Sequence, residues 1–444
     1  MGNDNQVRTE FVTGPAGSGK SFRFKSMIEE DPGCAILCAT TGVAAVNLDT
    51  VTVHSVLGFS NTDTLIDKYV RGYIHQKLRA LAQTNRPRSI VIDEVSMLHA
   101  EQLDTIYNAI SEVNQGDDRH EPLKYPLGLT LTGDFCQLPP VPDKKMVGGK
   151  LVNVKPRFAF EADCWPEFAA NITRLTKIWR QSDPCFLLAV NAARRGEGEV
   201  AASQLRSLNA QFSLAVDLNF DGTTIVAKNA EADRFNSQRL LKLTTPSFAL
   251  EARRWGQQSP DWKNIPDRTI LKPGALVMLL ANKKYGGAAT PFQYVNGDLA
   301  HVIEYNPCAQ LTDWQGEYEA AAVLVTSVRT GETFWVESIV RENVTKDEPE
   351  QGTLATYDEE RKHWIIGTVE WFPMRLGYCA TVHKSQGLSL DRIQIDCRDG
   401  FFGAPSMAYV ALSRARTVSG MRIVGGPELL SRRIKFNPAV RDWL

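Results

Sequence analysis

The string Gly14-Pro15-Ala16-Gly17-Ser18-Gly19-Lys20-Ser21 constrains this chain more than any other feature. It fills the pattern G-x-x-x-x-G-K-[ST] completely. Before it, Thr9–Thr13 reads as a short strand. After it, Lys20–Glu30 has the polarity of a helix, which Asp31-Pro32-Gly33 stops. A strand, a glycine loop and a helix in that order turn backbone N–H groups inward at a helix N-terminus, and such a nest holds phosphate. In that setting Lys20 neutralises the β- and γ-phosphates of a nucleoside triphosphate, and the Ser21 hydroxyl joins the Mg²⁺ shell. Standing alone the string would be a glycine-rich turn; its flanks argue against that.

The next apolar strands end in polar residues. Residues 34–39 form a strand candidate followed by small residues, and 89–92 form a stronger one ending at Asp93-Glu94. At a strand end facing the phosphate loop, Asp93 would hold Mg²⁺ and Glu94 would orient and deprotonate the attacking water. A helix-capping role is the plain alternative for the acidic pair. Residues 127–131 are followed by Gly133-Asp134-Phe135-Cys136-Gln137-Leu138-Pro139-Pro140, where Gln137 could reach the γ-phosphate or the lytic water. Strands alternating with helices predict a parallel α/β sheet, whose ligands bind beyond the carboxyl ends of the strands.

Length and composition bound the rest. A chain of 444 residues suits two or three domains, and 43% hydrophobic with 23% charged residues excludes wholesale disorder. No apolar run approaches the roughly 20 residues of a membrane span, and residues 1–10 carry no signal-type segment, so a cytoplasmic or nucleoid-associated location is expected. The eight cysteines form no C-x-x-C pair and read as free thiols of a reducing compartment. With a net charge of −1, binding to a polyanion must use local patches. Lys283-Lys284 and Arg432-Arg433 with Lys435 are candidates, and each is equally readable as a solvated face.

Further along, 144–155 is Gly- and Lys-rich and reads as an irregular connection. Residues 223–227 and a helical stretch through Asn236 suggest a second α/β unit, closed by Ile393–Asp396 and the segment after Met407. Between these lie strand candidates at 275–280, 294–305 (with the hairpin signal Asn296-Gly297), 322–328, 333–340 and His363–Trp371. They read as a small antiparallel barrel over 297–372 inserted into the second unit. Two further strings stand out: Thr381-Val382-His383-Lys384-Ser385-Gln386-Gly387 and Tyr409-Val410-Ala411-Leu412-Ser413-Arg414-Ala415-Arg416. Phosphoryl transfer needs cationic stabilisation, so Arg414 is a candidate arginine finger; an ordinary salt bridge is the alternative.

Taken in order, these strings resemble the helicases of superfamily one, in their PIF-type and RecD-like branch. The likeness runs through 11–21, Ala39-Thr40-Thr41-Gly42-Val43-Ala44-Ala45, Thr52-Val53-His54-Ser55, 91–98, 133–141, Leu175-Thr176-Lys177-Ile178-Trp179-Arg180-Gln181, 271–280, 294–298, 381–387 and 409–416. It implies an α/β fold of two RecA-like P-loop domains with parallel sheets, a small insertion in the first and an SH3-like β-barrel in the second. The implied limits are 1–158 for the first domain, with its insertion at about 60–88, then 159–296, the β-rich 297–372, and 373–444 closing the second domain. ATP with Mg²⁺ would sit between the RecA-like domains. The implied catalytic set is Lys20, Asp93, Glu94, Gln137, Arg180 and Arg414. Gly14, Pro15, Ala16, Gly17, Ser18, Gly19, Ser21 and Gly387 join in binding nucleotide, and Ser21 and Asp93 hold the metal.

The resemblance also implies a monomer that moves 5′ to 3′ on single-stranded DNA and unwinds forked duplex. Thr41, Gly42, His54, Ser55, Phe59, Thr381, His383 and Ser385 would contact the strand, Phe59 (or Tyr73) by stacking on a base, with a core role as the plainer reading of each aromatic. Family members carry an upstream helix whose glutamine reads adenine. Only 13 residues precede Gly14, so looser discrimination among nucleoside triphosphates is expected. Two other readings stay open: an ATP-dependent DNA-binding switch or scaffold that does not unwind, and an RNA helicase, since phosphate-directed contacts discriminate poorly between sugars. Replacing the phosphate-loop cation tests the nucleotide reading. Lys20→Ala should lower ATP turnover by roughly 100-fold or more while leaving the circular dichroism spectrum unchanged, as followed by steady-state phosphate release.

Overall fold

A computed structural model describes residues 6–444 apart from 32, 49, 84–85, 87, 148–149, 260–261, 263–264, 282, 285–291, 295–296, 314–315, 346–347, 350–351 and 360–362. The hairpin signal Asn296-Gly297 thus falls partly outside the described residues. Compactness divides the chain into two units. One holds Met1–Ala215, Val382–Gly387 and Cys397–Leu444; the other holds Val216–Thr381 and Leu388–Asp396.

The first unit is built on strands β1 (Thr9–Thr13), β2 (Ala35–Ala39), β3 (Val51–Thr52), β4 (Arg88–Asp93), β5 (Leu127–Gly133), β6 (Asp143–Val147), β7 (Lys150–Val154) and β8 (Ile172–Arg174). Six of them form one sheet in the order β3-β2-β4-β5-β1-β8, every pair parallel. A parallel sheet is covered on both faces, which is why β5 is buried along its whole length. Register brings the strand ends level: Thr13 lies opposite Gly133 and Arg174, and Ala39 opposite Asp93. The polar residues after these strands therefore share one edge. β6 and β7 pair as an antiparallel hairpin, where an irregular connection was expected. The run of Met146, Val147, Leu151, Val152 and Val154 carries more β-propensity than the Gly and Lys content suggests.

Helices α1 (Lys20–Glu30), α2 (Gly42–Asn47), α3 (Val53–Leu57), α4 (Thr62–Val70), α5 (Tyr73–Ala82) and α6 (Ala100–Gln115) complete the N-terminal part. Residues 60–88 contain α4 and α5. The first starts on a capping box in which Asn61 Oδ1 accepts from the Thr64 N–H at 2.9 Å. Leu65, Ile74 and Leu78 are fully buried, and Gly72 turns the chain between the helices at φ +80°. Polar ties fasten the pair to α6: Gln102 Nε2 donates to Thr62 Oγ1 at 3.1 Å, and the Tyr69 hydroxyl donates to Glu112 at 2.5 Å.

An aromatic cluster packs against Phe11 of β1. The ring of Phe135, 1% exposed, has Phe160, Trp443, Phe11 and Trp165 around it at centroid distances of 4.9, 5.0, 5.3 and 5.6 Å. All eight cysteines are free; five are buried, whereas Cys185 and Cys308 are exposed and Cys34 is intermediate. Among the described residues, no helix is long and apolar enough to cross a membrane.

In the second unit, Thr223–Val226 pairs in parallel with Cys379–Thr381 on one side and Ile393–Asp396 on the other, and Asn229–Leu241 is helical. The β-rich segment resolves into two antiparallel sheets. One runs Thr333–Glu337, Gly316–Ser327, Leu299–Asp313, Leu276–Leu279, Met374–Leu376; the other runs Arg253–Gly256, His363–Trp371, Ile339–Thr345. The expected barrel over 297–372 is therefore not closed on itself in the strand pairing of the described residues. Strands from outside those limits complete both sheets, because edge strands need partners wherever the fold supplies them. Lys283 spends its charge on Glu337 within this unit.

Phe135→Ala should destabilise the first unit by about 3–5 kcal/mol, seen as an earlier first transition in denaturant unfolding.

Candidate active site

The phosphate loop leaves the end of β1 and enters α1. Gly17 and Gly19 sit at φ +82° and +84°, and a Cβ on Gly14 would lie 2.3 Å from the Leu175 carbonyl oxygen. Only glycine meets both demands. The segment after β8 runs along the loop, with Leu175 N–H donating to Thr13 O at 2.7 Å and Trp179 N–H to Gly17 O at 2.8 Å. Lys20 is buried, and its Nζ donates to the carbonyls of Gly14 at 2.8 Å and Pro15 at 3.1 Å. Burial pulls its pKa down, while the carboxylates of Asp134, Glu94 and Asp93 oppose that. Ser18 is buried, and its hydroxyl finds no partner among the described residues. A glycine nest with a buried cation and a spare hydroxyl fits a phosphate chain.

Asp93 closes β4. The Ser21 hydroxyl donates to Asp93 Oδ2 at 2.6 Å, so both proposed Mg²⁺ ligands already meet. Among the described residues no cluster of three or more His, Cys, Asp or Glu could hold a metal. An ion held by Ser21 and Asp93 must complete its shell with phosphate and water, which is the habit of Mg²⁺. Glu94 follows at φ +57°, a left-handed conformation that costs a non-glycine residue about 1–2 kcal/mol. Thr40 Oγ1 holds it by donating to Glu94 O at 2.7 Å, and the Glu94 N–H donates to Asp93 Oδ1 at 2.8 Å. The side chain accepts from Gln386 Nε2 at 3.1 Å. Burial raises the pKa of both acids.

Two arginines far apart in the sequence meet here. Arg180 NH1 donates to Ser413 O at 3.0 Å, and Gln181 Nε2 reaches Ser413 O at 3.2 Å and Ala415 O at 2.8 Å. Those bonds bracket Arg414, which is 1% exposed and donates to Val410 O at 2.9 Å, Ser413 Oγ at 2.8 Å and Ser385 O at 3.4 Å. Burial, and then the like charge of Arg414, lower the pKa of Arg180. Gln137 is buried beside Asp134, and its Oε1 has no partner among the described residues. Loop, acidic pair, glutamine and arginines thus lie in one compact unit, where the sequence reading placed Arg180 and Arg414 beyond residue 158.

A family model described as PIF1-like helicase matches residues 2–187. The ATP-dependent DNA helicase Pif1 of Psychrobacter sp. is 26% identical over 97% of this chain and 67% of its own length. Bacteroides sp. Pif1 in complex with ADP-AlF4 shares 26% identity over 99% of this chain and 94% of that one, with a TM-score of 0.68. Bacteroides Pif1 with ADP-AlF3 and single-stranded DNA shares 25% over 99% and 93%, with a TM-score of 0.59. These likenesses support a PIF1-type helicase of superfamily one. Its class is that of the ATP-hydrolysing DNA helicases, with two RecA-like domains on parallel sheets. Some curated relatives are longer, the chain spanning 60% of one and 44% of another.

The site also contains side chains that sequence reasoning did not assign. Tyr409 accepts from the Ala16 N–H at 2.9 Å and donates to Asp134 Oδ2 at 2.8 Å, tying phosphate loop to strand end. Burial pushes the Tyr409 phenol up, so it stays a donor. Burial would raise Asp134 too, but Arg194, 2.9 Å away, outweighs it and holds the carboxyl below its ordinary range. Trp179 is 67% exposed, and a Cβ on Gly19 would lie 3.4 Å from its indole. Asp134, Trp179, Gln181, Gln386 and Tyr409 fall inside the strings noted above; nothing in the sequence marks Arg194.

The expected strand-binding residues divide. Thr41 and Gly42 open α2, with Thr41 Oγ1 accepting from the Ala44 N–H at 3.2 Å. His54 and Ser55 lie part-exposed on α3, and His383 is exposed on the short helix Val382–Ser385. Phe59 is a correction. It is 2% exposed with its ring 4.5 Å from that of His54, so it packs under α3 and offers no face to a base. Tyr73 is 53% exposed. Ser385 is also corrected: its hydroxyl is buried and donates to Val382 O at 2.8 Å within its own turn. Gly387 ends that turn at φ +80° beside Gln386. Thr381 is buried at the end of a strand in the second compact unit.

The folded pKa of Glu94, raised by burial, lies above the unfolded value, so the folded state holds extra protons between the two. That contribution to stability is full below the ordinary carboxylate pKa of about 4.3 and is lost as pH rises through the folded value. Glu94→Gln should raise the thermal midpoint of the nucleotide-free protein at pH 7 and flatten its pH dependence above about pH 4, measured by calorimetry.

Proposed function

We propose that this PIF1-type helicase hydrolyses ATP at the Gly14–Ser21 loop and uses the cycle to move 5′ to 3′ along single-stranded DNA, opening duplex ahead of it. The observation that carries the reading is the buried cluster itself. Lys20, Ser21, Asp93, Glu94 and Arg414 converge on one sheet edge, with Arg180 braced against Ser413. A protein that only bound nucleotide would have little use for a buried base beside two arginines.

In this reading the backbone of 14–19 and Lys20 cradle the phosphates. Ser21 and Asp93 hold Mg²⁺, which when bound neutralises charge on the bridging region. Glu94 takes the proton of the attacking water, and Gln137 addresses the γ-phosphate. Arg180 and Arg414 stabilise charge on the transferring group, and Gly387 lines the site. Trp179, a flat exposed ring beside Gly19, offers a stacking face to the base. The domain limits expected from the sequence belong to this reading, with the β-rich 297–372 as part of a larger β-rich insertion rather than a barrel of its own.

Strand contacts fall to Thr41, Gly42, His54, Ser55 and His383, whose hydroxyls, imidazoles and amides suit phosphate oxygens without sequence preference; Thr381, 3% exposed, is buried and drops out with Phe59 and Ser385. Bacteroides Pif1 has been crystallised with single-stranded DNA, which supports the same class of partner here. Movement from 5′ to 3′ rests on the family likeness, as does action as a monomer at a fork.

Two assays test the motor. ATPase should rise on adding single-stranded DNA, and a forked duplex with a 5′ tail should be unwound while one with only a 3′ tail is not. ATPase indifferent to DNA would favour a switch, equal stimulation and unwinding on RNA would favour an RNA helicase, and unwinding from the 3′ tail would reverse the polarity.

A further inference from the structure

Gln386 is 4% exposed and lies in the turn after Val382–Ser385, and the reading above gives it no part in hydrolysis. Its Nε2 donates to Glu94 Oε2 at 3.1 Å across 292 residues of sequence. The amide orientation follows from chemistry, because an ionised carboxylate only accepts hydrogen bonds and must face the NH₂ end. The other end, Oε1, is buried and has no partner among the described residues. A buried amide oxygen without a donor costs stability, and this one belongs to a group bonded directly to the proposed base. Gln137 also has a buried, unpartnered Oε1, but the structure shows no bond from it to Glu94.

The turn that carries Gln386 is fixed from both sides. Its N–H donates to His383 O at 3.3 Å, and the preceding carbonyl, Ser385 O, accepts from Arg414 NH1 at 3.4 Å. Gln386 is thus held against the base by the segment that also seats the arginine finger.

We propose that Gln386 and Glu94 form a two-point clamp for the lytic water: Glu94 accepts one water proton and Gln386 Oε1 accepts a hydrogen bond from the other. The inference rests on Glu94 being the base. In the step, the water oxygen bonds to the γ-phosphorus and the bond from γ-phosphorus to the β–γ bridging oxygen breaks. ADP leaves with that oxygen. One proton passes to Glu94, and the second stays on the new phosphate, still directed at Gln386 Oε1. The Nε2–H bond to Glu94 keeps the carboxylate turned to the water.

The test uses the full chain with Mg-ATP and saturating single-stranded DNA. Gln386→Met keeps the side-chain volume and removes both hydrogen bonds. It should lower kcat by roughly 10- to 100-fold with KM for ATP and affinity for ADP unchanged. The loss should appear in kcat and in kcat/KM for ATP alike, because the clamp holds the water and not the nucleotide. Gln386→Glu guards against misfolding as an explanation: it keeps the shape and an oxygen acceptor toward the water but loses the N–H donor to Glu94, so its kcat should fall between those of wild type and Gln386→Met. A kcat like wild type in Gln386→Met, a change confined to KM, or a Gln386→Glu no faster than Gln386→Met would overturn the clamp. Glu94→Gln separates the two ideas. If it is inactive while Gln386→Met behaves as wild type, only the clamp falls; if Glu94→Gln retains turnover, the base assignment falls and takes the clamp with it.

Discussion

Arg194 and Asp134 form a buried ion pair, 2.9 Å from NH2 to Oδ1, with the carboxylate fully enclosed. Burying two charges costs several kcal/mol per ion before their attraction returns it, so such a pair persists only when the remaining lone pairs are filled. Here they are. The Tyr409 hydroxyl and the Cys136 N–H both donate to Asp134, and Arg194 also reaches Trp443 O at 2.9 Å. The consequence is positional. Through Tyr409 the pair holds Ala16 in the phosphate loop, and through Cys136 it holds the segment carrying Gln137. Losing either charge would strand the other and release both loops together.

Around that anchor the site is electrostatically loaded. Burial lowers the pKa of Lys20, Arg180 and Arg414 and raises that of Asp93 and Glu94, so each is less comfortable charged than it would be in water. A site of this kind trades stability for preorganisation: its charges are aimed before the reacting phosphate arrives and need little rearrangement. The left-handed backbone at Glu94 fits the same account, since a strained residue persists where Thr40 and Asp93 hold it. Nucleotide binding should repay part of this cost, because any ligand that binds only the folded state stabilises it.

Much of the frame was legible because it is local. The helix Lys20–Glu30 and the strand Thr9–Thr13 occupy the residues that polarity alone assigned. The strands leading to Asp93 and Gly133 are apolar runs closed by polar residues, a pattern that burial on both faces of a parallel sheet enforces. Where the reading failed, composition misled it. Glycines and lysines at 144–155 hid a hairpin, and the β-rich segment recruited strands from outside its apparent limits. Ser385 belongs to a string that resembles a strand-binding motif and Phe59 lies just beyond another, yet burial decides what a side chain can touch, and both point inward.

The sequence by itself determined the phosphate loop and the acidic pair, because their chemistry needs particular residue types at short spacings along the chain; Arg180 and the role of Arg414 entered through the family likeness. Only the tertiary structure decided which of them meet. Tyr409 bonds to Ala16 across 393 positions, Gln386 to Glu94 across 292, and Arg180 to Ser413 across 233. No local pattern encodes such pairs. They follow from the order of strands in the sheet and from the need to give every buried charge and amide a partner, conditions that hold only once the whole unit has folded.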